Sequence, residues 1–285
     1  MLRTILASVR VARAPEARVG ARQEAYAERR DSRRLLLFRS KMSRWKASAI
    51  HLLLSAAIAG TLVAFMLTVW YPWPLFQAAG GSQLMLILVG VDVTLGPLIT
   101  LIIFKSGKKA LKFDLTVIAL VQLAALAYGI YTVYLARPVY LVFTIDRFEL
   151  VTAKDLDPSD LAKVTRAEFR PSLLARPQYA AAIPPTDPAL RAKVLETSIV
   201  GKDLQMYPQY YVPYPEQAQN ALAKAKNVSI MLKRHPEAIK RYLSSSGRGE
   251  DSVKYLPLSA PAKDGIVLLD TASGSPVDIV LVNPW

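Results

Sequence analysis

The chain has 285 residues, of which 52% are hydrophobic, and it carries a formal net charge of +14 with no cysteine. The absence of cysteine excludes disulfides, thiolate metal sites and a cysteine nucleophile. Residues 1–46 hold 13 basic and 4 acidic side chains, whereas residues 115–285 hold 19 basic and 16 acidic ones. Because the basic charge lies beside apolar stretches and is not interleaved with aromatic side chains, it indicates membrane topology and contact with anionic lipid, and argues against a nucleic-acid partner.

Residues 1–41 differ from the rest of the chain, since they contain ten arginines and no strong apolar run. We expect a basic, disordered, cytoplasmic extension here, with Met42 as a natural translation start. A short apolar face near the N-terminus could instead form an interfacial helix, with the members Leu2, Ile5, Leu6 and Val9. Acidic residues within the stretch disfavour a transit peptide.

Three apolar stretches predict transmembrane helices, at about residues 47–69, 84–104 and 113–135. The middle stretch has 21 residues, and a helix of that length rises about 30 Å, the thickness of a bilayer's hydrocarbon core. We therefore expect a three-helix transmembrane region over residues 42–136. Aromatic side chains that follow the first stretch predict its outer interface, since such rings settle among lipid headgroups; they are Trp70, Tyr71, Trp73 and Phe76.

Basic residues predict the orientation of these helices. Eight of them precede the first stretch between residues 29 and 46, the loop 70–83 carries no charge, and the next loop carries four lysines. Cytoplasmic loops are enriched in lysine and arginine. We therefore expect the N-terminus and the lysine loop in the cytoplasm, and everything after Leu135 outside, in the periplasm if the cell is Gram-negative.

Residues 137–285 are long enough to bury a core of their own. Alternating β-branched and aromatic residues predict strands, and proline-led segments predict short helices. The expected strands are 139–145, 148–152, 254–258, 265–270 and 277–282, and the expected helices are 188–197, 215–225 and 236–243. Frequent prolines predict a loop over 170–187. The expected fold class is thus an α-helical membrane region followed by an α+β domain with a mostly antiparallel sheet.

Asp92 is the acidic residue within the middle apolar stretch, and an ionisable side chain at that depth is a candidate functional site. Counting 1.5 Å per residue, Thr61 and Tyr128 lie at a similar depth, so either hydroxyl could donate to its carboxylate. His51 lies nearer the cytoplasm, so we expect no direct pair with Asp92. Pro97 frees a backbone carbonyl and permits a kink. Asp92 could hold the bundle together, contact a partner's helix, or move a proton.

A second candidate site is the stretch 206–214, which concentrates four tyrosines that could dock a partner: Tyr207, Tyr210, Tyr211 and Tyr214. The alternative is packing over the domain's own core. Catalysis finds no support, since His235 is the one histidine of the C-terminal domain and no hydrolase, metalloprotease or phosphate-binding motif is present. We expect no enzyme, no catalytic residues, no cofactor, no metal and no small-molecule substrate.

An ordered set of segments resembles the TfpX/TfpZ-type accessory proteins of type IV pilins. The likeness runs from residue 42 to 285 and includes these segments: MSRWKASAIHLLLS, YPWPLF, GVDVTLGPLITLIIF, RPVYLVFTIDRFELV and YPQYYVPY. The resemblance implies an inner-membrane protein with a periplasmic domain that assists a cognate major pilin during pilus assembly. It also implies a partner for Asp92, because major pilins wait in the membrane on a helix that carries a glutamate near its outer end. Two charged carboxylates would repel, so one must hold a proton or the pair must lie apart.

Two other classes of function stay open from the sequence. One is a membrane-tethered periplasmic sensor or scaffold of another envelope system, which a gene located away from any pilin gene would favour. The other is a membrane enzyme that modifies pilin, for which the sequence offers no acidic or histidine constellation.

Overall fold

The computed structural model describes residues 43–106 and 108–285, without the side chains of residues 87, 88, 91 and 92. The predicted extension 1–41 lies outside the described residues. Helix α1 spans Arg44–Phe65 and continues as a π-helical turn, Met66–Trp70. The Ser43 side chain caps its start by accepting a hydrogen bond from the Lys46 amide. A short helix α2, Leu75–Ala78, follows within the loop.

The middle apolar stretch is helical in three consecutive pieces. Helix α3 spans Gly81–Gly90, a π-helical turn spans Val91–Leu95, and helix α4 spans Gly96–Ile103. Pro97 lies just after the π-helical turn, which agrees with a helix whose regular hydrogen-bond ladder a proline interrupts. Helix α5 then spans Leu111–Ala136 and ends before Pro138.

Two helical stretches of the described part of the chain are long and apolar enough to cross a membrane. They are Arg44–Trp70 and Leu111–Ala136, and each leaves most of its surface exposed. A core helix of a soluble protein would instead be buried on most sides. The first and third predicted spans are thus present as apolar helices of membrane length, and the middle one is helical in pieces.

The C-terminal part, 137–285, forms an α+β fold around one mixed sheet of eight strands. The strands are β1 Pro138–Phe143, β2 Phe148–Thr152, β3 Gln178–Ala182, β4 Tyr211–Pro213, β5 Lys226–Asn227, β6 Val253–Ser259, β7 Gly265–Asp270 and β8 Pro276–Val280. Their order is β4-β3-β1-β2-β6-β7-β8, with β5 also pairing with β6. The pairs β1–β3 and β2–β6 are parallel and the others antiparallel, so the predicted mostly antiparallel sheet is confirmed.

Short helices connect the strands. They are α6 Pro158–Leu161, α7 Pro188–Ile199, α8 Ala218–Lys224, α9 Ser229–Arg234 and α10 Pro236–Ser246. Asp157 and Asp187 accept hydrogen bonds from backbone amides at the starts of α6 and α7, each just before a proline at the first helical position. The predicted helices 188–197 and 236–243 are therefore present, and the predicted 215–225 helix begins with a 3₁₀ turn at Tyr214–Gln217.

The predicted loop over 170–187 is partly wrong, because β3 lies inside it. This strand pairs in parallel with β1 on one side and antiparallel with β4 on the other. Pro177 and Pro184 flank the strand without lying in it, so they bound it and leave its ladder intact. Its inner positions are the small residues Ala180 and Ala181, which are fully buried.

The prediction that the aromatic residues after α1 form an outer membrane interface is also wrong for most of the segment. Residues 70–80, here called the aromatic loop, carry Trp70, Tyr71 and Leu75, and all three are buried. Only Trp73 is strongly exposed among its aromatic side chains. The loop packs into the core of the C-terminal fold, because that burial removes its apolar side chains from water.

One hydrophobic core joins the helices to the sheet. It combines Met66 and Val133, near the ends of α1 and α5, with the aromatic loop and with Leu141 and Phe143 of β1. Further members are Phe148, Leu256, Leu258, Val267 and Leu269. The alternate residues of the same strands, such as Tyr140 and Leu268, enter two other clusters. The sheet is therefore buried on both faces, and the helix ends and aromatic loop cover one of them.

Candidate functional site

Helix α4 is held against α1 by two polar contacts one turn apart. The Ser48 hydroxyl donates to the carbonyl of Pro97 at 2.9 Å. One turn further along each helix, Nδ1 of His51 lies 2.6 Å from Oγ1 of Thr100, and the tautomer decides which atom donates. Thr100 is buried and His51 is half-buried. Polar contacts of this kind fix the register of apolar helices, which otherwise slide freely against each other.

Helix α4 also approaches α5 closely at one point. A Cβ atom built on Gly96 would lie 1.9 Å from Nε2 of Gln122, so the Gln122 amide lies directly over the bare glycine backbone. The Gln122 side chain reaches the middle helix at this bare position, and a Cβ added to Gly96 would force the flexible end of that side chain to shift.

A cleft of about 290 Å³ lies between α1, α4 and α5 at this end of the bundle. Its walls are mainly aliphatic, including Leu54, Leu115 and Ile118, and His51 and Gln122 are among its few polar side chains. Such a cleft can accept an apolar group and offer it a hydrogen-bond partner.

The structure does not bring the predicted partners of Asp92 into polar contact with another helix among the described side chains. Asp92 lies in the π-helical turn, and its side chain lies outside the described residues. The Thr61 hydroxyl donates to the Ala57 carbonyl of its own helix at 2.9 Å. Tyr128 is 73% exposed. Pro97 is buried and accepts the Ser48 hydroxyl, so it is the predicted residue that the structure ties most firmly into the bundle.

The sequence did not lead us to predict that His51 forms a polar contact within the bundle, because the expected membrane depth of His51 was compared only with that of Asp92. Thr100 lies close to the C-terminal end of α4 and His51 close to the N-terminal end of α1. Antiparallel neighbours bring such positions together. A search for polar residues at similar distances from the start of the first apolar stretch and the end of the second would have found the pair.

Three of the four tyrosines predicted as a docking surface are buried: Tyr207, Tyr211 and Tyr214. Their hydroxyls bond within the domain, Tyr207 with Oγ1 of Thr197 at 2.7 Å, Tyr211 with the Gln205 carbonyl, and Tyr214 with the Gly274 carbonyl at 2.6 Å. Burial raises the pKa of Tyr211 well above its ordinary value. These side chains pack over the domain's own core because each buried hydroxyl has an internal acceptor or donor. Only Tyr210 stays half-exposed.

A buried carboxylate beside these tyrosines is a feature that the sequence had not singled out. Asp160 is 3% exposed and accepts hydrogen bonds from Lys163 at 2.8 Å, Lys202 at 2.6 Å and the Gln209 amide at 3.2 Å. Burial by itself raises the pKa of Asp160, but hydrogen bonds and charges from the two lysines outweigh it and lower the pKa below its ordinary value. The cluster ties α6 to the tyrosine stretch.

The junction between helices and sheet is built from side-chain-to-backbone hydrogen bonds. The Tyr71 hydroxyl donates to the Val133 carbonyl at 2.8 Å, and the Trp70 indole donates to the Leu173 carbonyl at 2.7 Å. Arg137, buried at the end of α5, donates to the Tyr134 carbonyl at 2.8 Å and lies 3.8 Å from the centre of that ring. Because the Tyr71 and Trp70 bonds cross between elements, they fix the geometry of the junction.

The described residues contain no group of three or more histidine, aspartate or glutamate side chains placed to hold a metal.

Comparisons with known proteins agree with one another. A family model described as fimbrial assembly protein FimB matches residues 39–80, which include α1 and the aromatic loop. The fimbrial assembly protein of serogroup I from Dichelobacter nodosus is 30% identical over 232 residues, which cover 79% of this chain and 90% of that protein. The serogroup E1 protein of the same organism is 29% identical over 232 residues, with the same coverage.

A third relative, the fimbrial assembly protein of serogroups C1 and C2 from Dichelobacter nodosus, is 38% identical over 113 residues, which cover 39% of this chain and 86% of that protein. No solved structure matches the chain. Since the chain covers 90% of a relative with which it shares 30% identity, it belongs to the fimbrial assembly protein family.

Proposed function

We propose that the chain is an inner-membrane accessory protein of type IV pilus assembly that acts by contacting the cognate major pilin. The observation that carries this proposal is the similarity to fimbrial assembly proteins over 90% of a relative's length. The similarity covers 79% of this chain as well, so it is not confined to one segment. The resemblance to TfpX/TfpZ-type proteins supports the same function, and the proposal assigns the chain no catalytic role.

The proposed topology has three membrane spans, with α3, the π-helical turn and α4 together forming the middle one. These pieces run without interruption from Gly81 to Ile103. The contact between His51 and Thr100 joins the start of α1 to the end of α4, which supports a topology with Arg44 and Lys46 on the same side as Lys105, Lys108 and Lys109. The positive-inside rule supports a cytoplasmic position for that side and a periplasmic one for the sheet.

In this proposal the helix bundle docks the pilin's membrane helix. The cleft between α1, α4 and α5 offers aliphatic walls with His51 and Gln122 as hydrogen-bonding groups. The backbone at Asp92 adopts a π-helical turn, a form of irregularity that often occurs at functional positions. A protonated Asp92 would satisfy the pilin's glutamate without charge repulsion.

Site-specific photo-cross-linking in native membranes tests this docking. A photoreactive residue at position 92, or at Ile50 on the cleft wall, is expected to form an adduct with the major pilin. The same probe at Lys240, on α10 of the sheet domain, serves as a matched control for expression and non-specific capture. Absence of a pilin adduct from every bundle position, in a protein that is present in the membrane, would rule out docking through the bundle.

Substitution of Asp92 then separates two forms of the proposal. Asp92→Asn keeps a hydrogen-bonding group without the charge and is expected to retain the cross-link at Ile50 and the number of surface pili. Asp92→Leu removes the hydrogen bond and is expected to lower both. Equal effects of the two variants would show that Asp92 is not part of the docking site. The cross-link at Ile50 would then still test whether the bundle docks the pilin.

A further inference from the structure

A large groove lies where α5 meets the sheet domain. It has a volume of about 820 Å³ and runs from the last turn of α5, at Tyr134 and Leu135, to the segments around Lys154 and Arg170. We refer to it as the junction groove. Its position at the end of a membrane-length helix places it at the depth of lipid headgroups.

Three cationic side chains line the junction groove: Arg137, Lys154 and Arg170. No acidic side chain is among its lining residues. One N–H group of Arg137 donates to the Tyr134 carbonyl, and one N–H group of Arg170 donates to the Val164 carbonyl. A guanidinium has five N–H donors, so each arginine retains further donors for an anion.

Two acidic residues close to Lys154 in sequence, Asp155 and Asp157, bond to groups outside the junction groove. The Asp155 carboxylate accepts the amide and hydroxyl of Thr152 at 2.8 and 2.6 Å. The Asp157 carboxylate accepts the amide of Ser159 and pairs with Lys202. Among the described residues, neither carboxylate forms an ion pair with Arg137, Lys154 or Arg170.

An exposed pair of leucines lies at the same end of the helices. Leu173 is 56% and Leu174 68% exposed, and the Leu173 carbonyl accepts the indole N–H of Trp70 at the end of α1. The chain segment that carries them also supplies Arg170 and Pro171 to the groove wall. Large apolar side chains beside cations, next to the ends of apolar helices, form the pattern of a membrane-contacting surface.

We propose that the junction groove binds the headgroup of an anionic phospholipid, with its phosphate on Lys154 and Arg170. Leu173 and Leu174 enter the same leaflet, and the acyl chains lie along the exposed apolar face of α5. The net positive charge of the groove favours an anionic headgroup over a zwitterionic one. This inference rests on the membrane placement in the proposed function, but not on any contact with pilin.

Native mass spectrometry of the full chain in detergent tests the site, with phosphatidylglycerol and phosphatidylcholine as probes. The wild type is expected to bind phosphatidylglycerol more tightly. Lys154→Gln is expected to weaken that binding about fivefold, since one cation near a membrane surface contributes about 1 kcal/mol. Lys240→Gln, the matched control on α10, is expected to leave it unchanged.

Lys154→Gln is the decisive variant. Lys154 is exposed, and its side chain forms no hydrogen bond to another described residue. Arg170→Gln, in contrast, also removes a hydrogen bond to the Val164 carbonyl and could loosen its segment. Equal binding of the two lipids, or unchanged binding in Lys154→Gln, would overturn the lipid site. Alkaline carbonate washing of native membranes is a separate arm, because release of the protein would overturn the membrane placement itself.

Discussion

At the scale of single residues, Asp160 shows how a buried charge can be accommodated. Its carboxylate has two lysines and an amide as partners, so each of its oxygens is hydrogen-bonded. The lysines are themselves partly exposed and keep contact with water. This arrangement avoids the cost of an isolated buried charge, which would otherwise reach several kcal/mol per ion, about the stability of a small domain.

Asp160→Asn is expected to lower the free energy of unfolding by about 2 kcal/mol at neutral pH, the contribution of hydrogen bonds to a charged group. Because the pKa of Asp160 is lower in the folded chain, its stabilisation is present above the ordinary aspartate pKa and is lost as pH falls below about 4. The unfolding midpoint of the variant in detergent should therefore depend less on pH in the acid range. A wild-type acid dependence retained in full by Asp160→Asn would contradict this assignment, and Asp278→Asn, an exposed strand residue, is the control.

His51 and Thr100 are the second residue-scale feature, since their contact joins two helices. Replacing both, as His51→Ala and Thr100→Val, allows a double-mutant cycle in which the coupling free energy is measured by reversible unfolding in mixed micelles. We expect a coupling of about 0.6 kcal/mol, the average for such bonds between membrane helices. Thr61→Val in place of Thr100→Val is the matched control, because the Thr61 hydroxyl bonds within its own helix. A coupling equal to that of the control would mean that the contact contributes no stability.

At the scale of elements, the long apolar helices and most strands follow from the sequence alone. Helices α1 and α5 were predicted because their apolar runs exceed what a soluble helix needs. Strand β3 was missed because its alanines have weak strand preference and prolines lie on both sides. Hydrogen bonds to β1 and β4 hold this segment in a strand although its residues have little local preference for one. Only the three-dimensional fold therefore reveals the strand.

The interface prediction for the aromatic loop and the open choice between docking and core packing for the tyrosine stretch have a shared reason. An aromatic side chain with a polar tip suits a membrane interface, a docking surface and a buried position with an internal hydrogen bond equally well. Tyr71 and Tyr214 take the last option, with the carbonyls of Val133 and Gly274 as acceptors. Such acceptors are distant in sequence, which is why the pattern of residue types could not distinguish these sites.

Tyr71 offers a test of the packing between elements. Tyr71→Ala is expected to lower the free energy of unfolding by about 3–5 kcal/mol, the cost of deleting a buried aromatic side chain. Trp73→Ala is the matched control in the same loop, and its effect should stay within about 0.5 kcal/mol because the side chain is exposed. Thermal unfolding of the detergent-solubilised chain, followed by far-ultraviolet circular dichroism, measures the effects of both variants without relying on a tryptophan signal. Similar effects of the two variants would contradict burial of the loop.

At the scale of the whole molecule, one face of the sheet is covered by segments from outside residues 137–285, because they share a hydrophobic core with it. The face that carries Leu141, Phe143, Leu256 and Leu258 is closed by the aromatic loop and by the ends of α1 and α5. The loop is also fixed at its far end, where the Ala78 carbonyl accepts the amides of Ala262 and Lys263 at 3.0 and 3.2 Å. The boundary near residue 137 is thus a boundary in composition, while the packing continues across it.

Residues 137–285 expressed alone are therefore expected to fail to form a stable fold. The exposed sheet face would bring apolar side chains into water and favour aggregation. Size-exclusion chromatography and amide hydrogen exchange measure this, with the full chain in detergent as the control. A monomeric fragment whose strand amides are as protected as those of the full chain would show that the shared core is dispensable.

The Tyr71 hydroxyl bond to the Val133 carbonyl has a mechanical consequence. It joins the end of the first long helix to the last turns of the third, directly beneath the sheet. Arg137 follows α5 into β1 without an intervening spacer. A sideways force on the end of α5 should therefore be transmitted to β1, because a single residue separates the two elements.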